Sequence, residues 1–151
     1  MIKMDDYEQY EADCEKIRDA NGSLLNQFSE WLEASGLSKK TMRNHCGNID
    51  LYINDFLLYE EAIEAKDGVD EVGMFLGYWF IRKATWASQS SIKSNATSLK
   101  KFYTFMNEQG LVEKDALTEL KERIKEDMPD WLATLRRYDD PSLSSEEVWF
   151  P

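Results

Sequence analysis

The chain has 151 residues, 29 Asp or Glu against 18 Lys or Arg, one histidine and a formal net charge of −11. That length fits one domain with short extensions, and 42% apolar residues suffice for a sizeable core. No apolar run approaches the roughly 20 residues needed to cross a bilayer, and the opening MIKMDDYEQYEADCE is acidic where a signal peptide needs a basic and then an apolar stretch; a membrane partner is excluded and a soluble, cytoplasmic protein expected.

Three prolines, seven glycines and few β-branched runs favour an all-α chain. From Lys3 to about Ala20 a thin stripe of Tyr7, Tyr10, Cys14 and Ile17 predicts a helix that docks loosely, ending at the break Asn21-Gly22. Ser23 caps a second helix over 24–35, with Leu24, Phe28, Trp31 and Leu32 on one face and Gly36 as its stop. Ser38 caps a long helix over 39–59, whose stripe is Met42, Cys46, Ile49, Ile53, Phe56 and Leu57. Gly47 lies on its outer side as a tolerated surface glycine. Residues 60–67 read as an acidic loop or frayed turn. A further helix follows to about Lys83 on Val69, Val72, Phe75, Leu76, Trp79 and Phe80. Ser88 or Ser90 caps the next, which carries Ile92, Ala96, Leu99, Tyr103 and Met106 and stops at Gly110. The segment LVEKDALTELKERIKED predicts a helix on Leu117, Leu120 and Ile124, broken at Pro129, with a short helix on Trp131, Leu132 and Leu135 beyond it. From Asp139 the chain reads as a tail that Trp149 and Phe150 can anchor. The divisions are an acidic arm over 1–22, a helical domain over 23–138 and a tail over 139–151.

Charge is segregated along this order. Residues 35–48 and 72–107 hold no acid and eight bases between them: Lys39, Lys40, Arg43, Arg82, Lys83, Lys93, Lys100 and Lys101. At about 100° per residue, Lys93, Thr97, Lys100, Lys101 and Thr104 fall on one arc beside the apolar stripe of their helix. Lysines beside an apolar stripe usually just keep a helix wet, but two acid-free arcs folded onto one side make a locally positive surface, since screening acts over only about 8 Å.

Two segments carry a likeness. GLSKKTMRNHCGNIDLYINDFL (Gly36–Leu57) resembles the turn and first long helix of the core-binding, SAM-like domain of tyrosine recombinases and phage integrases, and SQSSIKSNATSLKKFYTFMNEQGLVEKDAL (Ser88–Leu117) resembles its later helix and exit. The shared pattern is a serine cap, a basic helix start, an apolar stripe and an aromatic pair before Gly-Leu-Val. The resemblance covers about residues 24–117. It implies a bundle of four main helices set as two crossed hairpins, here with an extra N-terminal helix and a short C-terminal one, and double-stranded DNA as partner. By position, Ser38, Lys39, Lys40, Thr41, Arg43 and Asn44 face DNA at one helix start; Ser90, Ser91, Lys93, Ser94, Thr97, Lys100 and Lys101 do so at the other. Helix N-termini suit phosphates independently of any family, through free N–H groups and the positive dipole end.

The family continues into a catalytic domain with an arginine, a His-x-x-Arg motif and a nucleophilic tyrosine. Here the one histidine, His45, is followed three residues on by Asn48, and too little chain remains after Leu117 for such a domain. A non-catalytic DNA-binding module of recombination or integration is therefore expected, needing no cofactor, metal or small-molecule substrate. His45 and Cys46 are adjacent and Cys14 is distant, so zinc spacing is missing; His45 reads as a partly exposed helix residue. The two cysteines read as free thiols. No phosphate loop, nucleophile elbow or EF-hand order is present. Trp31, Trp79, Trp86 and Trp131 fall in core register. The alternative reading is a protein-interaction module that kept the bundle and lost DNA, its contacts being the acidic flanks, the Tyr7/Tyr10 arm and the Trp149–Phe150 tail. In a third, the acidic segments cover the basic face in cis.

Overall fold

The computed structural model describes residues 5–140, and every regular element among them is helical. Helix α1 (Asp6–Ala34) is followed by α2 (Lys39–Asp50), which runs straight on into a π turn (Leu51–Phe56). A 3₁₀ turn (Ala65–Asp67) leads to α3, residues 72–83, which is α-helical at both ends with a second π turn (Phe75–Trp79) between them. Then come α4 (Gln89–Glu108) and α5 (Lys114–Asp139). The helix starts are capped as short polar side chains allow. Ser38 Oγ accepts from the Thr41 N–H at 3.2 Å, and Ser88 and Ser91 form a reciprocal capping box. Ser88, not Ser90, is the cap. Gly36 and Gly110 leave their helices at φ +83° and +77°, the left-handed turn that only glycine enters freely.

One core joins all five helices: Phe28 and Leu32 of α1, Ile49 and Tyr52 at the end of α2, Phe75 and Phe80 of α3, Phe102 of α4 and Leu120 of α5 all contribute. Phe28 meets Phe102 edge-on, with ring centroids 5.3 Å apart. Among the described residues no helix is long and apolar enough to cross a membrane.

Three expectations about the chain are corrected. The break at Asn21-Gly22 does not exist; α1 is continuous, so the separate N-terminal helix is its first half. Asn21 is buried and donates its amide to the Ile53 carbonyl at 3.2 Å and to Asn54 Oδ1 at 2.8 Å, so a residue of low helix propensity is held helical by tertiary bonds. Nor does this half dock loosely: Cys14 is buried, and the Tyr10 hydroxyl donates to the carbonyl of Leu58. Pro129 likewise breaks nothing. Leu117, Leu120, Ile124, Met128, Trp131 and Leu135 form one stripe at steps of three and four on either side of it. Packing of that stripe outweighs the roughly 3 kcal/mol a mid-helix proline costs. The segment 60–67 is a loop, as expected, closing in the 3₁₀ turn Ala65–Asp67 and anchored at that end. Buried Tyr103 donates to the Ala65 carbonyl at 2.8 Å and buried Tyr52 to the Gly68 carbonyl at 2.5 Å. Burial holds both phenols well above the usual tyrosine range.

The two π turns face each other. Tyr52 and Phe56 from the first pack on Phe75 from the second, with centroids 4.9 and 5.1 Å apart. Each turn lets buried pairs recur five residues apart, Tyr52/Ile53 with Leu57/Leu58 and Phe75/Leu76 with Phe80/Ile81. On an α-helix the fifth residue lies about 140° round; the i→i+5 turn brings it back to the same side. The tail expected from Asp139 lies outside the described residues beyond Asp140.

Candidate nucleic-acid interface

Helices α2 and α4 pack antiparallel, and polar side chains set their register. His45 Nδ1 is hydrogen-bonded to Ser98 Oγ at 2.7 Å, and Asn48 Nδ2 donates to Ser98 Oγ at 2.9 Å and Ser94 Oγ at 3.2 Å. His45 is thus buried, not partly exposed, because it points into the seam between two helices and away from solvent. Burial, reinforced by the Lys101 ammonium, holds its pKa below the ordinary histidine value.

This register places the expected DNA-facing residues. Thr41, Asn44, Ser94, Thr97 and Lys101 gather along the α2/α4 seam. By helical register Lys93 and Lys100 continue the outer face of α4 and Lys40 the outer side of α2, while Arg43 lies toward α1. Lys40, Arg43, Asn44, Lys93, Ser94 and Thr97 are exposed, and Lys100 and Lys101 are half-buried. Lys39 turns the other way and, with Arg43, Ser29, Met42 and Cys46, lines a groove of about 240 Å³ against α1. The serines at the helix starts are engaged: Ser38 caps α2 and donates to Thr41 Oγ1 at 3.0 Å, and Ser91 closes the capping box. Ser90 is exposed at the start of α4. Because the helices are antiparallel, Ser38 and Ser90 lie at opposite ends of the pair, roughly 22 Å apart at 1.5 Å per residue.

Charge on this face is uncompensated. Among the described residues, none of Lys39, Lys40, Arg43, Lys93, Lys100 and Lys101 forms an ion pair; the pairs present join Lys66 to Glu64 and Asp67. Glu108, the one acid at the end of α4, accepts from Trp31 Nε1 at 2.9 Å. Cys14 and Cys46 are both free thiols. Gly47 has open space around it, as a surface glycine should. No cluster of three or more His, Cys, Asp or Glu suited to a metal ion occurs among the described residues.

The acid-free stretch 72–107 divides between two surfaces, which its composition does not reveal. Arg82 and Lys83 belong to a groove of about 570 Å³ where the π turns meet, walled by Phe56, Tyr59, Met74, Tyr78 and Trp79. Lys83 Nζ lies 5.0 Å from the Tyr59 ring centroid and Arg82 lies 5.3 Å from that of Tyr78, cation–π distances that fix both lysine and arginine at the lip. Tyr59 is 52% exposed and Met74 57% exposed. Trp79 is half-buried, and its indole N–H is buried with no acceptor. Trp86, expected in the core, is 59% exposed, with an edge contact to Phe80 at 6.1 Å; it lies beyond the end of α3 at Lys83, so helical register does not turn it inward. Sequence reading missed the groove. Its signal was the five-residue recurrence of apolar pairs.

The chain matches no protein-family model, no curated protein and no solved structure.

Proposed function

We propose that the chain is a non-catalytic DNA-binding module, acting in or derived from site-specific recombination or integration, that takes double-stranded DNA along the outer face of α2 and α4. The observation that supports this most is the set of cations on that face, Lys40, Lys93, Lys100 and Lys101, with Arg43 at its edge, none paired with a carboxylate among the described residues. Thr41, Asn44, Ser94 and Thr97 stand among them as hydrogen-bonding groups for phosphate or base edges. The crossed-hairpin arrangement of the tyrosine recombinase core-binding domain belongs to the same proposal, as does the absence of catalysis by this chain.

With about five phosphate contacts, log K falls against log salt with a slope of about −4 to −5. Fluorescence anisotropy with a labelled duplex over 50–200 mM salt tests this. A flat response, or no binding at the lowest salt, rejects it. Lys93→Glu with Lys100→Glu abolishes binding while the helical circular dichroism signal and the melting temperature stay as in the parent.

A second reading, a protein-interaction module on the same bundle, has one observation on its side: the exposed aromatic groove between the π turns. Light scattering and affinity capture with the groove variant Met74→Glu separate it from the first, since that change leaves DNA binding intact.

A further inference from the structure

We propose that the groove between α1 and α2 is a binding site for a small phosphate monoester, its dianion held by Lys39, Arg43 and Ser29 against Met42 and Cys46. The site lies to the side of the proposed DNA face, shares only Arg43 with it, and does not depend on DNA binding.

The charge of this groove is unexplained by the fold. Lys39 and Arg43 stand four residues apart on α2, so they are neighbours on one side of it, where like charges work against the helix. Both are exposed, and among the described residues neither forms an ion pair. Acids are close in the chain. Glu30 follows Ser29 on α1 and Glu33 comes one turn later, yet neither lines the groove. Two cations converging on one groove, with no carboxylate between them, complement a group that carries two negative charges.

Charge number selects the ligand class. A phosphate monoester, whose second pKa is about 6, is close to a dianion at neutral pH; a phosphodiester or a carboxylate carries a single charge. The planar fork of Arg43 suits two oxygens of a tetrahedral anion, and Lys39 adds a point charge. Ser29 supplies a third donor. Burial raises the Cys46 pKa and keeps it a neutral thiol, hydrogen-bonded with the Ser29 hydroxyl. A hydroxyl that accepts the thiol proton keeps its own O–H to donate. Half-buried Met42 and Cys46 complete a soft, apolar wall for the organic part of the ester. A cavity of about 150 Å³ takes a benzene ring, so the roughly 240 Å³ here accommodates a ring together with its phosphate.

Titration of phenyl phosphate into the full chain tests the proposal, read at pH 7.5 on the methionine methyl resonances with ionic strength fixed by sodium chloride. The Met42 methyl should shift along a saturable curve while the Met74 methyl, in the other groove, stays in place. Methyl phenyl phosphate, the monoanionic diester with the same ring, should bind at least about fivefold more weakly, the worth of one charge at about 4 Å in water. Lys39→Gln with Arg43→Gln should abolish the shift, and Lys93→Gln with Lys100→Gln should leave it as in the parent; the remaining methyl resonances report that each variant is folded. A Met42 methyl that stays in place overturns the proposal. Equal affinity for the diester also overturns it, by showing attraction without recognition of the dianion. Loss of the shift in the Lys93/Lys100 variant does the same, by making the general charge of the basic side the cause.

Discussion

His45 and Ser98 meet at 2.7 Å within the α2/α4 seam, and the burial of the imidazole there makes the packing beneath the proposed DNA face sensitive to protons. Burial and the neighbouring Lys101 keep the imidazole below its ordinary pKa of about 6.5. The unfolded chain therefore takes up the proton before the folded one does. Stability is complete above about pH 6.5 and is lost as pH falls from there toward the lowered folded value. Urea unfolding at pH 7.5 and 5.5 should show this loss, and His45→Gln should remove most of the difference between the two pH values.

Ser98→Ala deletes the hydroxyl bonded to both His45 Nδ1 and the Asn48 amide, taking that partner from the buried imidazole and leaving Asn48 its bond to Ser94 Oγ. A destabilisation of about 1–3 kcal/mol is expected, the cost of stranded buried polar groups. Equilibrium urea denaturation measures it, with an unchanged slope as evidence that the folded state keeps its compactness.

Gly77 is glycine because of Trp131. A Cβ at this position would stand 2.7 Å from Trp131 Cδ1 and 2.9 Å from its Nε1. Gly77→Ala should lower stability by about 1–3 kcal/mol, as overpacking does. A second change, Trp131→Leu, should recover part of that loss in a double-mutant cycle, although alone it is destabilising.

Pro129 sits exposed inside an unbroken helix. Pro129→Ala supplies the missing N–H and should stabilise the chain by about 1–3 kcal/mol. Thermal melting checks this, and a fall in melting temperature would mean that the proline shapes the packing of Trp131.

On the proposed DNA face, Lys101→Gln should reduce the magnitude of the salt slope by about 0.9, one phosphate contact, and Lys66→Gln should leave it unchanged. Lys66 already pairs with Glu64 and Asp67 on the loop before α3. Anisotropy titrations of both variants on one duplex measure the difference.

The all-α class, the Ser38 cap, the stop at Gly36 and the stripes of α2 and α4 were legible because each rests on local period or cap chemistry. Tertiary overrides were not. Nothing adjacent to Asn21 announces that its amide will meet Ile53 and Asn54 some thirty residues away, and nothing near Pro129 states how much surface Trp131 and Leu135 will bury. In both cases a local breaker lost to packing that single-segment reasoning cannot weigh. The π turns failed for another reason. An α-helical template divides Phe75/Leu76 and Phe80/Ile81 between two faces, so their common burial is invisible unless a five-residue period is also tried.

For the candidate site, the acid-free windows did mark where cations stand, and the proposed face draws on Lys40, Arg43, Lys93, Lys100 and Lys101 as named from the chain alone. The windows did not mark how the cations divide. Arg82 and Lys83 share the second window with Lys93, yet they stack on Tyr78 and Tyr59 at a groove formed by two turns of unlike sequence. Only the fold joins those turns.

The opposed course of α2 and α4 sets a minimum size for a ligand that would engage the proposed face at both helix starts. Their positive dipole ends are roughly 22 Å from one another, a span of about six steps of duplex at 3.4 Å each. A free nucleotide, an inorganic anion or a single phosphorylated side chain reaches one end or the other, never both. A polyanion of at least that length, as the proposed duplex is, meets the attraction of the two ends together.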